Sequence, residues 1–180
     1  QYGVRTYQVS DIAEQRSFSD YQIQRAATVF VMVIAGLIWC VFKGYTEPMF
    51  SICTGALLFR AVDGMADVYE GRLQQKDKLY LAGLSQALRC SASFILFTVV
   101  LFVTRNLVWA SWSMGICALI TLVFVSAPLA ILETDKSVRI KLANIKDIFV
   151  QCWPLFLALF LYNLIDSLPK FAMEGTLSYS

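Results

Sequence analysis

Five long apolar runs, almost free of charged residues, alternate with short polar segments along the chain. A helix rises ~1.5 Å per residue, so about 20 apolar residues cross the hydrocarbon core of a bilayer. The pattern therefore predicts an all-α fold, a polytopic transmembrane bundle of about five spanning helices. The predicted spans are about 22–42, 48–69, 79–104, 107–131 and 148–168.

Local signals mark where these helices begin and end. Ser17 followed by Asp20 predicts a capping box at the start of the first long helix. Pro48 lies near the start of the second, where proline is tolerated. Residues 70–78 are predicted as a short loop, and residues 133–147 form the longest polar link.

The distribution of lysine and arginine predicts the orientation in the membrane, because such residues accumulate on the cytoplasmic side. The polar segments predicted to lie on the outer side of the membrane carry only three basic residues, Lys43, Arg105 and Lys170. The segments 1–25, 70–78 and 133–147 are accordingly predicted to be cytoplasmic. Their basic residues are Arg5, Arg16, Arg25, Arg72, Lys76, Lys78, Lys136, Arg139, Lys141 and Lys146.

The polar link 133–147 has two interpretations. Val138, Leu142, Ile145 and Phe149 fall on one face of a helix, which favours an amphipathic helix lying on the inner leaflet. A solvated connector between two helical bundles explains the same segment equally well.

The composition mainly argues against other classes of protein. The chain is 58% hydrophobic, above the ~45–50% typical of soluble domains. Its formal charge is only +2 and no basic, aromatic-rich patch is present, so nucleic acid is not an expected partner. It has no histidine, and its five cysteines fall in different apolar runs without a C-x-x-C pair, which favours buried apolar cysteines over a metal or disulfide framework.

No motif for chemistry is present either. The sequence has no P-loop, no nucleophile elbow and no H-E-x-x-H pattern. We therefore expect a protein that is not an enzyme, does not hydrolyse ATP and carries no cofactor or metal ion.

Two arginines lie near the middle of predicted spans, where a charged side chain is costly. Arg60 and Arg89 each lie 14.5 positions from the point 74.5 within loop 70–78, so an antiparallel hairpin is expected to place them at similar depth. Arg60 begins a stripe that continues through Asp63, Asp67 and Glu70 on one helix face.

Each arginine has a functional and a structural interpretation. In the first, cationic groups line a polar cavity that accepts an anionic ligand, because a guanidinium group binds phosphate oxygens in pairs. In the second, Arg60 is neutralised by Asp63 and Asp67 on its own helix. Arg89 has no acidic residue on its own span, and this favours the functional interpretation for Arg89.

The fifth run also contains polar residues. Asn163, Asp166 and Lys170 share one helix face, and Pro154 permits bending of the helix. Pro169 and Lys170 are interpreted as the outer end of the helix. Asp166 lies close enough to that end for either a functional or an interfacial role.

Three segments carry a likeness to a known family: YGVRTYQVSDIAEQRSFSDYQIQR at 2–25, FRAVDGMADVYEGRLQQKDKLYLAGLSQALR at 59–89 and WPLFLALFLYNLIDSLPKFAMEGTLS at 153–178. Together they resemble the polysaccharide (oligosaccharide) flippases, the Wzx-type transporters of the multidrug/oligosaccharidyl-lipid/polysaccharide exporter superfamily. The resemblance extends over essentially the whole chain and rests on the general character of the sequence rather than on a catalytic signature.

The resemblance implies two six-helix lobes around a cavity that opens alternately to either side. On that map the chain is an internal piece: 1–132 belongs to the first lobe, 133–147 is the cytoplasmic linker between lobes, and 148–180 begins the second lobe. The expected location is the bacterial cytoplasmic membrane.

The substrate implied by the resemblance is an undecaprenyl-pyrophosphate-linked oligosaccharide, flipped outward for O-antigen, capsule or another surface polysaccharide. Membrane lipids, and a polysaccharide polymerase or glycosyltransferases, are the other expected partners. The candidate cavity residues are Arg60, Arg89, Asp63, Asp67, Asn163 and Asp166.

Three other functions compete with this one. An organic-cation antiporter of the same superfamily would use acidic cavity residues, for which Asp63, Asp67 and Asp166 are available. A membrane enzyme of polysaccharide assembly would normally have large outer loops, and the outer loops predicted here are short. A helical scaffold without transport activity leaves the two mid-span arginines unexplained.

Overall fold

Every regular element of the described residues is a helix, as the sequence predicts. The structure is a computed structural model that describes residues 4–10, 17–132, 134, 150, 152–154, 156–158 and 160–169. Five helices are long and apolar enough to cross a membrane. The predicted link 133–147 lies outside the described residues except for Thr134, so both interpretations of it stay open.

The chain begins with a short helix, followed by the spans. We number the helices α1 to α7 in chain order. The fourth span, Leu107–Leu132, consists of α5, a π-helical turn at Leu122–Ser126, and α6. The helices are α1 Val4–Ser10, α2 Phe18–Phe42, α3 Met49–Gln75, α4 Leu79–Thr104, α5 Leu107–Thr121, α6 Ala127–Leu132 and α7 Cys152–Pro169.

The predicted capping box at the start of α2 is confirmed. Ser17 is extended, with φ −75° and ψ 150°, and its side chain accepts a hydrogen bond from the Asp20 backbone N–H, while the Asp20 carboxylate accepts one from the Ser17 N–H. Two of the backbone donors left unpaired at a helix start are thereby satisfied. The helix consequently begins four residues before the apolar run predicted from residue 22.

The prediction of a loop at 70–78 is wrong over its first two thirds. Helix α3 continues to Gln75, and the chain turns at residues 76–78, where Asp77 has a left-handed φ of 58°. Glutamate, arginine, leucine and glutamine are good helix formers, so loss of hydropathy does not end the helix. Glu70, Arg72 and Leu73 are instead buried against neighbouring helices.

Helix α3 is the centre of the bundle, since it packs against α1, α2, α4 and α5. A close approach to α5 depends on Gly55: a Cβ added there would lie 2.6 Å from the Ser111 hydroxyl and 3.0 Å from the Ser111 carbonyl carbon. Ser111 in turn donates a hydrogen bond of 2.9 Å to the Ile52 carbonyl. Small residues of this kind allow membrane helices to pack closely.

The fourth span is interrupted by the π-helical turn at Leu122–Ser126. Pro128 lies two residues after this turn, and proline removes a backbone donor and crowds the preceding turn. Ser126 is fully buried, and its hydroxyl is 2.7 Å from that of Ser85 on α4. This polar contact fastens the irregular part of the fourth span to α4.

The outer surfaces of the long helices are apolar, which matches a lipid environment. Phe42 is 82% exposed and Phe102 86% exposed, and most of the other exposed large side chains on these helices are also hydrophobic. Hydrocarbon is the solvent in which such a surface is stable.

We expect the turn at 43–48 and the turn at 76–78 to lie on opposite sides of the membrane, with the second in the cytoplasm, because basic residues accumulate at that end. In a cysteine-free background, Lys43→Cys should react with a membrane-impermeant thiol reagent in intact cells. Lys76→Cys is the matched variant in the turn after α3, and it should react only after permeabilisation. Labelling of position 76 in intact cells would overturn this orientation.

Candidate polar site within the helical bundle

Three carboxylates follow one face of α3. Asp63, Asp67 and Glu70 are spaced so that they fall on the same side of the helix, as predicted. Their side chains are largely buried, with relative exposures of 17%, 12% and 1%. Buried carboxylates in a membrane helix need countercharges, and here these come from three other helices.

Arg89 supplies the countercharge from α4. It is 1% exposed, and its guanidinium group donates one hydrogen bond to Glu70 Oε1 and another, of 2.8 Å, to Asp63 Oδ1. The observation that its own span has no acidic residue is correct. It does not leave Arg89 without a countercharge, however, because the α3–α4 hairpin brings two carboxylates to it.

Arg25 pairs with the same face from α2. Its Nη2 is 2.6 Å from Asp67 Oδ2, and its Nε donates a hydrogen bond of 2.7 Å to the Gly64 carbonyl oxygen. Only 2% of the residue is exposed. Arg25, predicted from the sequence to be one of the cytoplasmic charges, thus lies inside the bundle.

Helix α1 contributes the third arginine. Arg5 Nη1 lies 3.2 Å from Asp67 Oδ1 and 3.4 Å from Glu70 Oε2, and its Nε donates to Gln74 Oε1. Nearby, Gln8 donates to the Val68 carbonyl oxygen. Gly71 makes room for this approach, since a Cβ there would lie 2.6 Å from Gln8 Oε1. Helix α1 is thus held against α3 by polar contacts.

We call these six residues the charge cluster: three arginines and three carboxylates whose formal charges cancel. A buried ion pair with good geometry is costly to break from one side only, because the remaining charge is left desolvated. The cluster therefore ties α1, α2 and α4 to α3. Its members are Arg5, Arg25, Arg89, Asp63, Asp67 and Glu70.

Arg60 is not part of this cluster, although it shares a helix face with the carboxylates. It is exposed, and it forms no hydrogen bond or ion pair with the residues that the structure describes. Of the two interpretations of Arg60, the structural one, in which Asp63 and Asp67 neutralise it, is thus wrong. Long side chains on a helix point toward its N-terminus, so Arg60 extends away from both carboxylates, which follow it in sequence.

The same directional rule explains Arg89. Its side chain points toward the start of α4 and so reaches the C-terminal half of α3, where Glu70 and Asp63 lie. The prediction that the two arginines lie at similar depth is wrong, because it assumed a loop centred within 70–78. Arg60 lies 15 residues before the end of α3 and Arg89 10 residues after the start of α4, so Arg89 is ~7–8 Å closer to the turn. Arg89 is buried in ion pairs, and Arg60 is exposed.

The two remaining candidates lie elsewhere. Asn163 and Asp166 are exposed on α7 and have polar contacts, but they are not members of the charge cluster. Helix α7 meets the rest of the bundle at Cys152, which packs with Tyr21 and Val68. The structure therefore brings Arg89, Asp63 and Asp67 together and leaves Arg60, Asn163 and Asp166 outside the cluster.

Arg5 and Arg25 were missed as members of the site, and Glu70 was recognised only as part of the stripe. One signal for Arg25 is present in the sequence. Tyr21, Gln24, Arg25 and Thr28 form a polar face at helical spacing on α2. Arg5 has no comparable signal, because α1 is a single short helix in a polar segment.

No group of three or more histidine, cysteine, aspartate or glutamate side chains is placed to hold a metal ion in the described part of the chain. The clustered carboxylates are occupied by guanidinium groups instead. The arrangement can fix helices to one another and can present one cation, Arg60, at mid-span.

Comparison with known proteins places no further constraint on this site. No protein-family model matches the chain, and neither a curated protein nor a solved structure matches it. What the fold defines is a class: a multi-pass α-helical membrane protein with a charge cluster inside its bundle.

Proposed function

We propose that the protein is a membrane transporter that flips a lipid-linked oligosaccharide carrying a diphosphate group, by alternating access of a cavity between two lobes. The observation that carries the proposal is Arg60, an exposed arginine near the middle of a spanning helix without a partner in the described residues. It lies ~17 Å along α3 from Met49, well inside the hydrocarbon depth.

An arginine at this depth is stable only beside a polar partner or water, since exposure to hydrocarbon costs ~2.5–3.5 kcal/mol or more. The Arg60 face of α3 therefore borders a polar cavity in this proposal, rather than lipid. A guanidinium group holds phosphate oxygens through paired, charge-assisted hydrogen bonds. An anionic headgroup entering the cavity would supply the countercharge that Arg60 lacks.

The charge cluster fixes the helix that carries Arg60. Because Arg5, Arg25 and Arg89 are already neutralised, α3 keeps a fixed position and Arg60 keeps a fixed location. Arg89 would contact substrate only if a phosphate displaced Asp63, the most exposed of the three carboxylates. We therefore assign the first contact to Arg60 and a supporting role to Arg89.

The organic-cation antiporter is less well supported by the same contacts. It needs carboxylates that are available to a cation, and Asp63 and Asp67 each accept a hydrogen bond from an arginine at 2.8 Å and 2.6 Å. A cationic ligand would have to compete with those guanidinium groups. Arg60 would repel it as well.

We expect Arg60→Ala to lower glycan display at the cell surface about tenfold or more, while the protein stays at its normal level in the membrane. The loss of one charge-assisted contact of ~1.5–3 kcal/mol gives a change of that size. Arg60→Lys should retain part of the activity, because the charge remains but the paired hydrogen bonds are lost. The full-length protein would be assayed in a strain lacking its own copy.

Arg105→Asn is the matched control for Arg60→Ala. It removes an exposed arginine at the end of α4, and asparagine tolerates the left-handed φ of 49° found there. Display should be unchanged in this variant. Normal display by Arg60→Ala at a normal protein level would refute the assignment of Arg60 to the substrate site.

A further inference from the structure

Helix α1 contacts α3 through hydrogen bonds that are long for their type. Arg5 Nη1 lies 3.2 Å from Asp67 Oδ1 and 3.4 Å from Glu70 Oε2, and Gln8 donates a hydrogen bond of 3.3 Å to a backbone carbonyl oxygen of α3. Charge-assisted N–H···O bonds are usually ~2.7–2.9 Å long. Arg25, which binds the same Asp67 carboxylate, does so at 2.6 Å. Of the two arginines on this carboxylate, Arg5 therefore has the weaker contact.

The docked position of α1 also leaves one polar atom without a partner. Gln8 is fully buried, and its Oε1 accepts no hydrogen bond from the residues that the structure describes. It lies over Gly71, where an added Cβ would be 2.6 Å from this oxygen. A buried acceptor without a donor is unfavourable relative to water, which would hydrate it. Docking of α1 is therefore opposed by a free-energy cost that disappears when α1 separates from α3.

Separation of α1 would leave no carboxylate of the charge cluster without a countercharge. Asp67 would keep Arg25, and Glu70 would keep Arg89. The Arg5 side chain is already 27% exposed, compared with 3% for Arg25 and 1% for Arg89. Withdrawal of a fully desolvated arginine would strand its partner, whereas Arg5 can pass into water. Among the helices that supply arginines to the cluster, α1 is accordingly the most weakly held.

We propose that α1 is a strap at the cytoplasmic end of the bundle, which leaves α3 and docks again while α2, α3 and α4 stay packed. In the released state, two arginines face three carboxylates, so the formal charge of the cluster changes from zero to −1. Release also uncovers the surface of α3 around Gly71, against which Gln8 packs. The charge and the accessibility of this end of the bundle then depend on one short helix, whatever the protein transports.

Hydrogen–deuterium exchange of the full-length protein in lipid nanodiscs tests the strap. A helix of seven residues is not stable alone in water, so amide protons in the last turn of α1 exchange whenever it is released. We expect these amides to exchange about a hundredfold or more faster than those of α3 within 62–72, because the two segments open independently. Arg5→Ala should accelerate exchange in α1 further and leave exchange in α3 as it is.

A disulfide that holds α1 on α3 separates release from simple fraying of the helix. A Cβ at Gly71 would lie 3.2 Å from Gln8 Cδ, so Gln8→Cys with Gly71→Cys, in a cysteine-free background, should form a cross-link on oxidation. Exchange in α1 should then slow about tenfold or more and recover with dithiothreitol. Gln8→Cys with Gly83→Cys is the matched control. Gly83, on α4, has space for a side chain, and this pair should not cross-link.

Three results would each overturn the proposal. Equal exchange rates in α1 and α3 would mean that α1 opens only with the whole bundle. Equal exchange in the oxidised and reduced forms of the cross-linked variant would mean that α1 frays in place without leaving α3. Absence of the cross-link between positions 8 and 71, read by mass spectrometry of non-reduced peptides, would mean that α1 does not dock as described.

Discussion

Arg89→Ala is expected to remove most of the folded protein from the membrane. The substitution leaves Glu70, which is 1% exposed, with only the more distant Arg5, and it leaves Asp63 without its guanidinium partner. Removal of one member of a buried ion pair costs ~3–5 kcal/mol, a large part of the stability of an ordinary domain. Immunoblots of membranes and the size-exclusion profile in mild detergent would show the loss.

The double variant Arg89→Met with Glu70→Gln separates charge stranding from lost packing. Methionine keeps much of the volume, and glutamine removes the charge that Arg89 balanced, so the protein level should recover in part. Arg60→Ala is the control, since Arg60 is exposed and outside the cluster. If Arg89→Ala accumulates normally and Arg60→Ala does not, the ion pairs described here do not hold the bundle together.

Asp67→Ala is expected to give the second largest loss of stability. Asp67 contacts both Arg25, at 2.6 Å, and Arg5, at 3.2 Å. Without it, the buried Arg25 guanidinium retains the Gly64 carbonyl but has no countercharge from Asp67. A cost of ~3 kcal/mol corresponds to a fall of about 10 °C in apparent melting temperature for a chain of this size.

Two further variants sharpen this result. Asp67→Asn should lie between Asp67→Ala and the unmodified protein, because an amide oxygen still accepts a hydrogen bond but carries no charge. Asp77→Asn is the matched control, at an exposed turn position with a φ of 58° that asparagine adopts readily. Thermal stability would be read by fluorescence-detected size exclusion after heating. Equal melting temperatures for the Asp67 and Asp77 variants would contradict the expected contribution of the charge cluster to stability.

Hydropathy predicted the number of spans and most of their ends, because the length of an apolar run reports the thickness that a helix must cross. It failed at the end of α3. There the helix continues through Glu70 and Arg72, whose side chains are buried by contacts with other parts of the chain. A one-dimensional average of hydropathy does not include such contacts.

The acidic face of α3 was also predictable, since helical spacing alone places Asp63, Asp67 and Glu70 together. The choice of partners was not. Spacing along a helix suggests that Arg60, three residues before Asp63, is the partner of this carboxylate. Because long side chains point toward the helix N-terminus, Arg60 extends away from Asp63, and Arg89 on the next helix pairs with it instead. Which helix supplies a countercharge is a property of tertiary packing, and Arg5 shows this most clearly.

The π-helical turn in the fourth span has an evolutionary consequence. Ala118, Leu122, Ser126 and Ala130 are all buried at steps of four residues, a spacing that would drift ~40° per step around a regular α-helix. The wider turn absorbs the drift, so the segment is equivalent to a regular helix with one inserted residue, on a side where Phe124 is 74% exposed. An alignment of this span with an uninterrupted helix in another protein therefore needs a one-residue gap within 122–126. Without that gap, the buried Ala130 would be matched to a position one residue away from the equivalent core position.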